Sequence, residues 1–211
     1  MIPSKKEWTD ALIARHGATL YKQFSSATVA ICGLGGLGSN IAVALARVGI
    51  GKLLLIDFDR VDITNLHRQQ YKANQIGSYK ADALVENLLE IAPYTELQAV
   101  TAKITEENFA RLLKDADIVC EAFDDAECKA MIVNGVLEQL PQCYLVAASG
   151  MAGIDTPNTI KTRKVTKRFY LCGDEVSDVA NTIGLVAPRV MLCAAHQAHT
   201  VLRILAGKYE V

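Results

Sequence analysis

Apolar and polar residues follow two rhythms along the chain. Short aliphatic or β-branched runs at 28–32 (TVAIC), 52–57 (KLLLID), 96–100 (ELQAV), 117–123 (DIVCEAF) and 143–149 (CYLVAAS) predict strands buried on both faces. Between them lie helical patterns. The first, NIAVALARVG at 40–49, is apolar on nearly every side and ends at Gly49. In KADALVENLLEIAP (80–93), Ala81, Leu84, Val85, Leu88, Leu89 and Ala92 share one helical face, and Pro93 stops the helix. Further helices are expected at 106–114 and 126–139. The stretch 159–172 (TIKTRKVTKRFYLC) alternates polar and apolar, predicting exposed strands, and 188–205 predicts a closing helix with proline near its start. Strand and helix in this order predict an α/β fold. The sheet is doubly wound and mainly parallel, with helices on both faces and a small antiparallel extension near the C-terminus. Residues 1–26 are expected to form a helical segment ahead of a single domain at 27–211.

Composition narrows the function. With 211 residues, 51% of them hydrophobic, the chain has material for one substantial core. A net charge of −1 gives no global attraction to nucleic acid or a membrane surface. The N-terminus, MIPSKKEWTD, has no apolar core of a secretory signal, and Arg47, Lys52 and His196 interrupt the longest apolar stretches, so no membrane span is expected. The six cysteines stand singly, with no C-x-x-C pair. Disulfides and a four-cysteine zinc site are therefore not expected, and a reducing cytoplasm is the expected compartment.

The chemistry begins at ICGLGGLGSN (31–40). Gly33, Gly35 and Gly38 satisfy G-x-G-x-x-G between a strand and a helix, the Rossmann-like phosphate turn, with Gly36 inside it. Asp57 ends the second strand, where an acid binds ribose hydroxyls. A nicotinamide dinucleotide and ATP both suit this pair. The following segment, FDRVDITNLHRQ, adds Asp59, Asn65, Arg68 and Gln69, and Lys80 opens the next helix. Asn65, Arg68, Gln69 and Lys80 are donors suited to a triphosphate, surplus to a dinucleotide. In EAFDDAE (121–127), Asp124 and Asp125 fall at a strand's carboxyl end, where one carboxylate can hold Mg²⁺ against phosphates and one can cap the following helix.

In this order the segments GLGGLGSN, LLLIDFDRVDITNLHRQ, IGSYKADAL and DIVCEAFDDAE resemble the ThiF/MoeB family, relatives of the ubiquitin-activating enzymes. AASGMAG and GLVAPRV resemble a shorter, zinc-free branch linked to thiamine synthesis. The resemblance implies an adenylyltransferase that uses ATP and Mg²⁺ to activate the C-terminal glycine of a small ubiquitin-like sulfur-carrier protein (ThiS-like, ending Gly-Gly), working as a homodimer. It places Gly35 and Gly38 in the phosphate turn, Asp57 on the ribose, Asn65, Arg68 and Lys80 on the phosphates, and Asp124 at the metal. The family's D-C-T-D-N element reads E-A-F-D-D here. The resemblance makes Arg68 and Lys80 the expected catalytic cations. Cys172 falls where some relatives form a covalent link to the carrier, with Lys164, Lys167 and Arg168 near in sequence to lower its pKa. Arg15 is a candidate finger for a partner subunit.

Each residue also has a bland reading. Cys172 as an idle thiol, His196 and His199 as packed side chains and Arg15 as a surface charge are all favoured taken singly. Three other functions compete: an NAD-dependent oxidoreductase, a transfer-RNA-modifying dehydratase served by the basic run RKVTKR, and a nucleotide-binding scaffold without turnover.

Overall fold

The computed structural model describes residues 2–211. Two helices, α1 (Lys5–His16) and α2 (Ala18–Ser25), precede the sheet. A capping box starts α1, in which the Ser4 hydroxyl accepts from the Glu7 N–H and the Glu7 carboxylate accepts from the Ser4 N–H. Next come β1 (Thr28–Cys32), α3 (Gly36–Val48), β2 (Lys52–Ile56), α4 (Lys80–Ile91) and β3 (Glu96–Val100). They are followed by α5 (Phe109–Leu113), β4 (Ile118–Glu121), α6 (Ala126–Gln139) and β5 (Tyr144–Ala148). The chain closes with β6 (Lys161–Lys164), β7 (Phe169–Gly173) and α7 (Ala187–Leu205).

Seven strands form one sheet in the order β3-β2-β1-β4-β5-β7-β6, every pairing parallel except β6 with β7. The mainly parallel, Rossmann-like α/β fold with a small antiparallel extension is the one the sequence predicts. Why the central strands read as unbroken apolar runs is visible in the packing. Val29, Ile31, Leu53, Leu55, Ile118 and Cys120 point to the core covered by α3, α4 and α7, while Ala30, Cys32, Leu54, Ile56 and Val119 point to the core under α5 and α6. Period-two alternation is present, but both faces are dry, so no polar residue marks it.

Three expectations need correction. The helix expected from residue 40 starts at Gly36, because the glycine turn itself winds into it. Of the helix expected at 106–114, only Phe109–Leu113 is α-helical. Of the two strands in 159–172, β6 is an exposed edge, but β7 is interior, hydrogen-bonded to β5 and β6 with Tyr170 and Cys172 buried. Alternation there reflected burial of one side chain in two, not exposure of the strand. Among the described residues no helix is long and apolar enough to cross a membrane.

Candidate nucleotide-binding site

β1 leads through α3 to β2 on one side, while β4 leads on to β5 on the other, so the carboxyl ends of β1 and β4 part at a topological switch point. A cavity of ≈ 840 Å³ opens there. Gly33, Gly35 and Gly36 form its floor. No side chain caps the start of α3, which leaves its first N–H groups for an anion. Gly38 does not line the cavity. It sits one turn into α3, where a Cβ would stand 1.9 Å from the Gly33 carbonyl oxygen, so its lack of a side chain serves close helix–strand packing.

Asp57, buried at the end of β2, ties the turn down. Its Oδ2 accepts from the Leu34 N–H (2.7 Å) and its Oδ1 from the Asp59 N–H (2.8 Å). Each oxygen keeps a lone pair toward the cavity for a hydroxyl donor. The Tyr71 hydroxyl donates to the Leu34 carbonyl (2.7 Å) and holds the turn from below. Lys80, first residue of α4 and only 6% exposed, extends its ammonium to Asp59 Oδ2 at 2.8 Å on the cavity wall.

Asn65, Arg68 and Gln69 also line the cavity. Their segment is moored to α3: the Asn40 amide donates to the Gly36 and Arg68 carbonyls (2.6 and 3.2 Å), and Ser39 Oγ accepts from the Gln70 N–H (3.1 Å). Arg68 lies across Gly36, and its Nε, like the Oε1 of Gln69, is buried with no partner. Buried polar atoms are rarely left so, and two of them beside one glycine turn fit a polar ligand.

Across the cavity the loop after β4 carries Asp124 and Asp125. The structure shows which of them caps the helix. Asp125 caps α6, accepting from the Cys128 N–H at 2.8 Å, and these hydrogen bonds lower its pKa. Asp124 is exposed at the cavity. Among the described residues no three His, Cys, Asp or Glu side chains gather as a metal site. One free carboxylate fits Mg²⁺ only as an ion shared with phosphates, which is how that ion is commonly held.

Cys172 is elsewhere. It is fully buried on β7 against Thr162 and Thr200, and burial pushes its thiol up to about 11, despite the hydroxyls that favour the thiolate. The lowering expected from Lys164, Lys167 and Arg168 does not occur, since burial outweighs any basic neighbour. A thiol so placed lacks both the exposure and the thiolate character that transfer chemistry needs. His196 bonds Thr162 Oγ1 through Nδ1 (2.9 Å), a packed histidine.

Two features escape sequence reading. Glu121, wholly buried at the end of β4, receives the Lys129 ammonium at 2.7 Å on both oxygens, and that ammonium also reaches the Ala148 carbonyl (3.0 Å). Burial raises the Glu121 pKa, against the opposing pull of Lys129. The i, i+8 spacing gives no local signal of this pair. On the far wall, Arg189 of α7 meets Asp174 across 15 residues of chain. Nothing in GLVAPRV distinguishes that arginine from a surface one.

A family model described as the ThiF family matches residues 9–211. The chain belongs to the ThiF family. Relatives of this ThiF-family chain include ubiquitin-like modifier-activating enzyme 5 of Gallus gallus, 33% identical over 205 residues, which cover 89% of this chain and 49% of the relative. The tRNA threonylcarbamoyladenosine dehydratase of Bacillus subtilis (strain 168) is 33% identical over 159 residues, covering 74% and 61%. The chain thus spans about half to three fifths of these two relatives. Among solved structures, E. coli TcdA, a tRNA N6-threonylcarbamoyladenosine dehydratase in complex with ATP, superposes with a TM-score of 0.86 at 22% identity over 99% of this chain and 98% of that one. That likeness shows a shared fold. Neither curated relative is a thiamine-synthesis protein, so the thiamine-linked branch expected from AASGMAG and GLVAPRV is not what these matches point to.

Proposed function

We propose that this ThiF-family chain is an ATP-dependent adenylyltransferase that activates the C-terminal glycine carboxylate of a small ubiquitin-like sulfur-carrier protein ending in Gly-Gly. Thiamine synthesis and a homodimer are the finer expectations of that reading, and residues 27–211 would carry the activity as one domain. The observation that carries it is convergence: the donors Asn65, Arg68, Gln69 and Lys80 meet the glycine turn and Asp57 at one cavity, and the Arg68 Nε–H lacks a partner. A dinucleotide's pyrophosphate is served by backbone donors and a helix N-terminus, and leaves such cations without employment.

The chemistry then needs no general base. The acceptor carboxylate, ionised at neutral pH, attacks the α-phosphorus of ATP. A P–O bond forms to the carboxylate, the bond to the bridging oxygen breaks, and pyrophosphate leaves with that electron pair. Arg68 and Lys80 stabilise the charge that grows on the leaving group. Lys80 is pre-positioned by Asp59, and the half-buried Arg68 faces the same cavity. Asp124 would hold Mg²⁺, which supplies further neutralisation of the phosphate charge when bound.

A second reading has its own support. The tRNA dehydratase likeness covers nearly the whole of both chains in structure and three fifths of the curated relative in sequence. Exchange of labelled pyrophosphate into ATP separates the two. With a ThiS-like carrier, exchange that disappears when the carrier's last glycine is removed supports the proposal. Exchange absent with the carrier, alongside adenylate formation on threonylcarbamoyladenosine-containing tRNA, would replace it with the dehydratase reading.

A further inference from the structure

The wall opposite the glycine turn is made by two loops, one at Gly150–Ala152 after β5 and one at Ser177–Val179 after β7. Ala152 is buried and Met151 packs against the core, but the second loop is exposed, Val179 at 53%, and the residues flanking the two loops, Ile154 and Val176, are 75% and 86% exposed. A wall that buries so little on one side needs another anchor.

Arg189 supplies it. The residue is 5% exposed, and all five of its N–H donors are used. Nε donates to the Ala152 carbonyl (3.0 Å), Nη1 to the carbonyls of Asp155 and Thr156 (2.9 and 3.2 Å), and Nη2 to Thr159 Oγ1 and Asp174 Oδ2 (3.0 and 2.5 Å). Asp174 Oδ1 in turn accepts from the N–H groups of Val176 and Ser177 (2.9 and 2.8 Å), and Ser177 Oγ accepts from the Ala152 N–H (2.9 Å). Arg189, Ala152, Ser177 and Asp174 therefore close a hydrogen-bonded ring, two of whose members line the cavity. Gly150 is packed so tightly beneath it that a Cβ there would lie 2.1 Å from Asp174 Oδ1. The Glu175 backbone, left-handed at φ 61, completes the turn by donating to the Ser149 carbonyl (3.0 Å).

A buried ion pair contributes little net stability against an apolar replacement, and its best-attested use is to fix one arrangement among several. None of the ring's bonds reaches Asp57, Arg68 or Lys80. We infer that Arg189 and Asp174 are positioning residues that set the wall against which the second substrate is aligned, and act on that substrate without acting on the nucleotide. The inference rests on reading the cavity as a two-substrate adenylation site. The ring holds the wall in register across the cavity from the turn that receives the phosphates.

The test uses Ser177→Ala, which removes one hydrogen bond, exposes no charge and leaves the fold intact. Thr159→Ala, loosening the clasp away from the cavity, is its comparison. Pyrophosphate exchange is driven with a short synthetic peptide ending in Gly-Gly, and ATP affinity is measured separately with a fluorescent ATP analogue. The expected result for Ser177→Ala is a roughly tenfold higher KM for the peptide, the worth of about one hydrogen bond, with unchanged nucleotide affinity and near-native kcat. Thr159→Ala should shift the peptide KM less. Nucleotide affinity and peptide KM worsening together, or neither changing, would overturn the inference. If the wild-type protein drives no exchange with the peptide, the adenylation reading has failed and the substrate role falls with it. Amide hydrogen exchange then decides on the clasp alone: faster exchange at 150–152 and 175–179 in Ser177→Ala, with 33–38 unchanged, supports it, and equal exchange in both proteins refutes it.

Discussion

The nucleotide side and the far wall of the cavity are held by different kinds of force. On the nucleotide side, backbone geometry does the positioning: a glycine turn winds into α3, and Asp57 accepts from the Leu34 N–H of that turn and from the Asp59 N–H. The one ion pair there, Lys80 with Asp59, joins a buried ammonium to a carboxylate that is half in water. Around the rest of the cavity, side-chain ion pairs do the positioning, through Arg189–Asp174 and Glu121–Lys129, each with a carboxylate withdrawn from water. The first arrangement tolerates loss of a charge because water receives the partner left behind. The second does not, because the partner is stranded in a dry interior.

That contrast is broken most severely at Arg189. Arg189→Met leaves Asp174 without its cation and three backbone carbonyls without their donor, and should lower unfolding stability by about 3–5 kcal/mol, read from the urea midpoint at unchanged m. Lys80→Met makes the opposite demand. Asp59 stays hydrated, so stability should change little, while pyrophosphate exchange should fall by about 10²–10³-fold if the ammonium stabilises developing charge. Equal stability losses in the two variants would erase the distinction.

The difference also decides what is legible in a sequence. Gly33, Gly35, Asp57, Arg68, Lys80 and Asp124 lie in short contiguous motifs whose spacing is dictated by one turn, one helix start or one strand end. Local geometry recurs, so the motif can be read. Arg189 meets Asp174 only because α7 packs on β7, and Glu121 meets Lys129 only because α6 folds back over β4, and neither packing is written in a contiguous motif. The strand β7 shows the same limit. Its alternating pattern is compatible with an edge or with an interior position, and only its pairing with both β5 and β6 settles which. Cys172 was attractive for its basic neighbours in sequence, yet the strand turns its thiol into the core.

Glu121 sharpens the comparison through pH. Its folded pKa is raised above the ordinary 4.5, so the folded state holds the proton more readily and this carboxyl's contribution to stability declines as pH rises through that range. Asp174 runs the other way. Burial alone would raise it, but hydrogen bonds from Ser177, Val176 and Arg189 bring it down to about 2, so its contribution is complete above 3.8 and is lost as pH falls toward 2. Lys129→Met should therefore cost about 2–3 kcal/mol at alkaline pH and progressively less as pH falls and Glu121 takes up a proton. A penalty independent of pH would mean that Lys129 acts through packing. Gly38→Ala brings the test back to the nucleotide side, with an effect of similar size. Its Cβ meets the Gly33 carbonyl, which must move, so a loss of about 1–3 kcal/mol is expected together with weaker ATP affinity, measured on the same samples by urea titration and nucleotide fluorescence.

The smallest expected effect separates two adjacent carboxylates. Asp125 is engaged with the Cys128 N–H, whereas Asp124 faces the cavity from an exposed position. Asp125→Ala removes a helix cap and should cost about 1 kcal/mol of stability, with the Mg²⁺ concentration for half-maximal exchange left where it was. Asp124→Asn should leave the urea midpoint in place and move that Mg²⁺ requirement upward, because a neutral amide is a poorer ligand for a hard cation than a carboxylate. The two measurements on the two variants form a square in which each substitution moves one quantity. If Asp124→Asn leaves the Mg²⁺ requirement unchanged, the carboxylate is not the metal's protein ligand. The phosphates alone would then have to hold the ion, with Arg68 and Lys80 meeting the remaining phosphate charge, without help from the β4 side of the cavity.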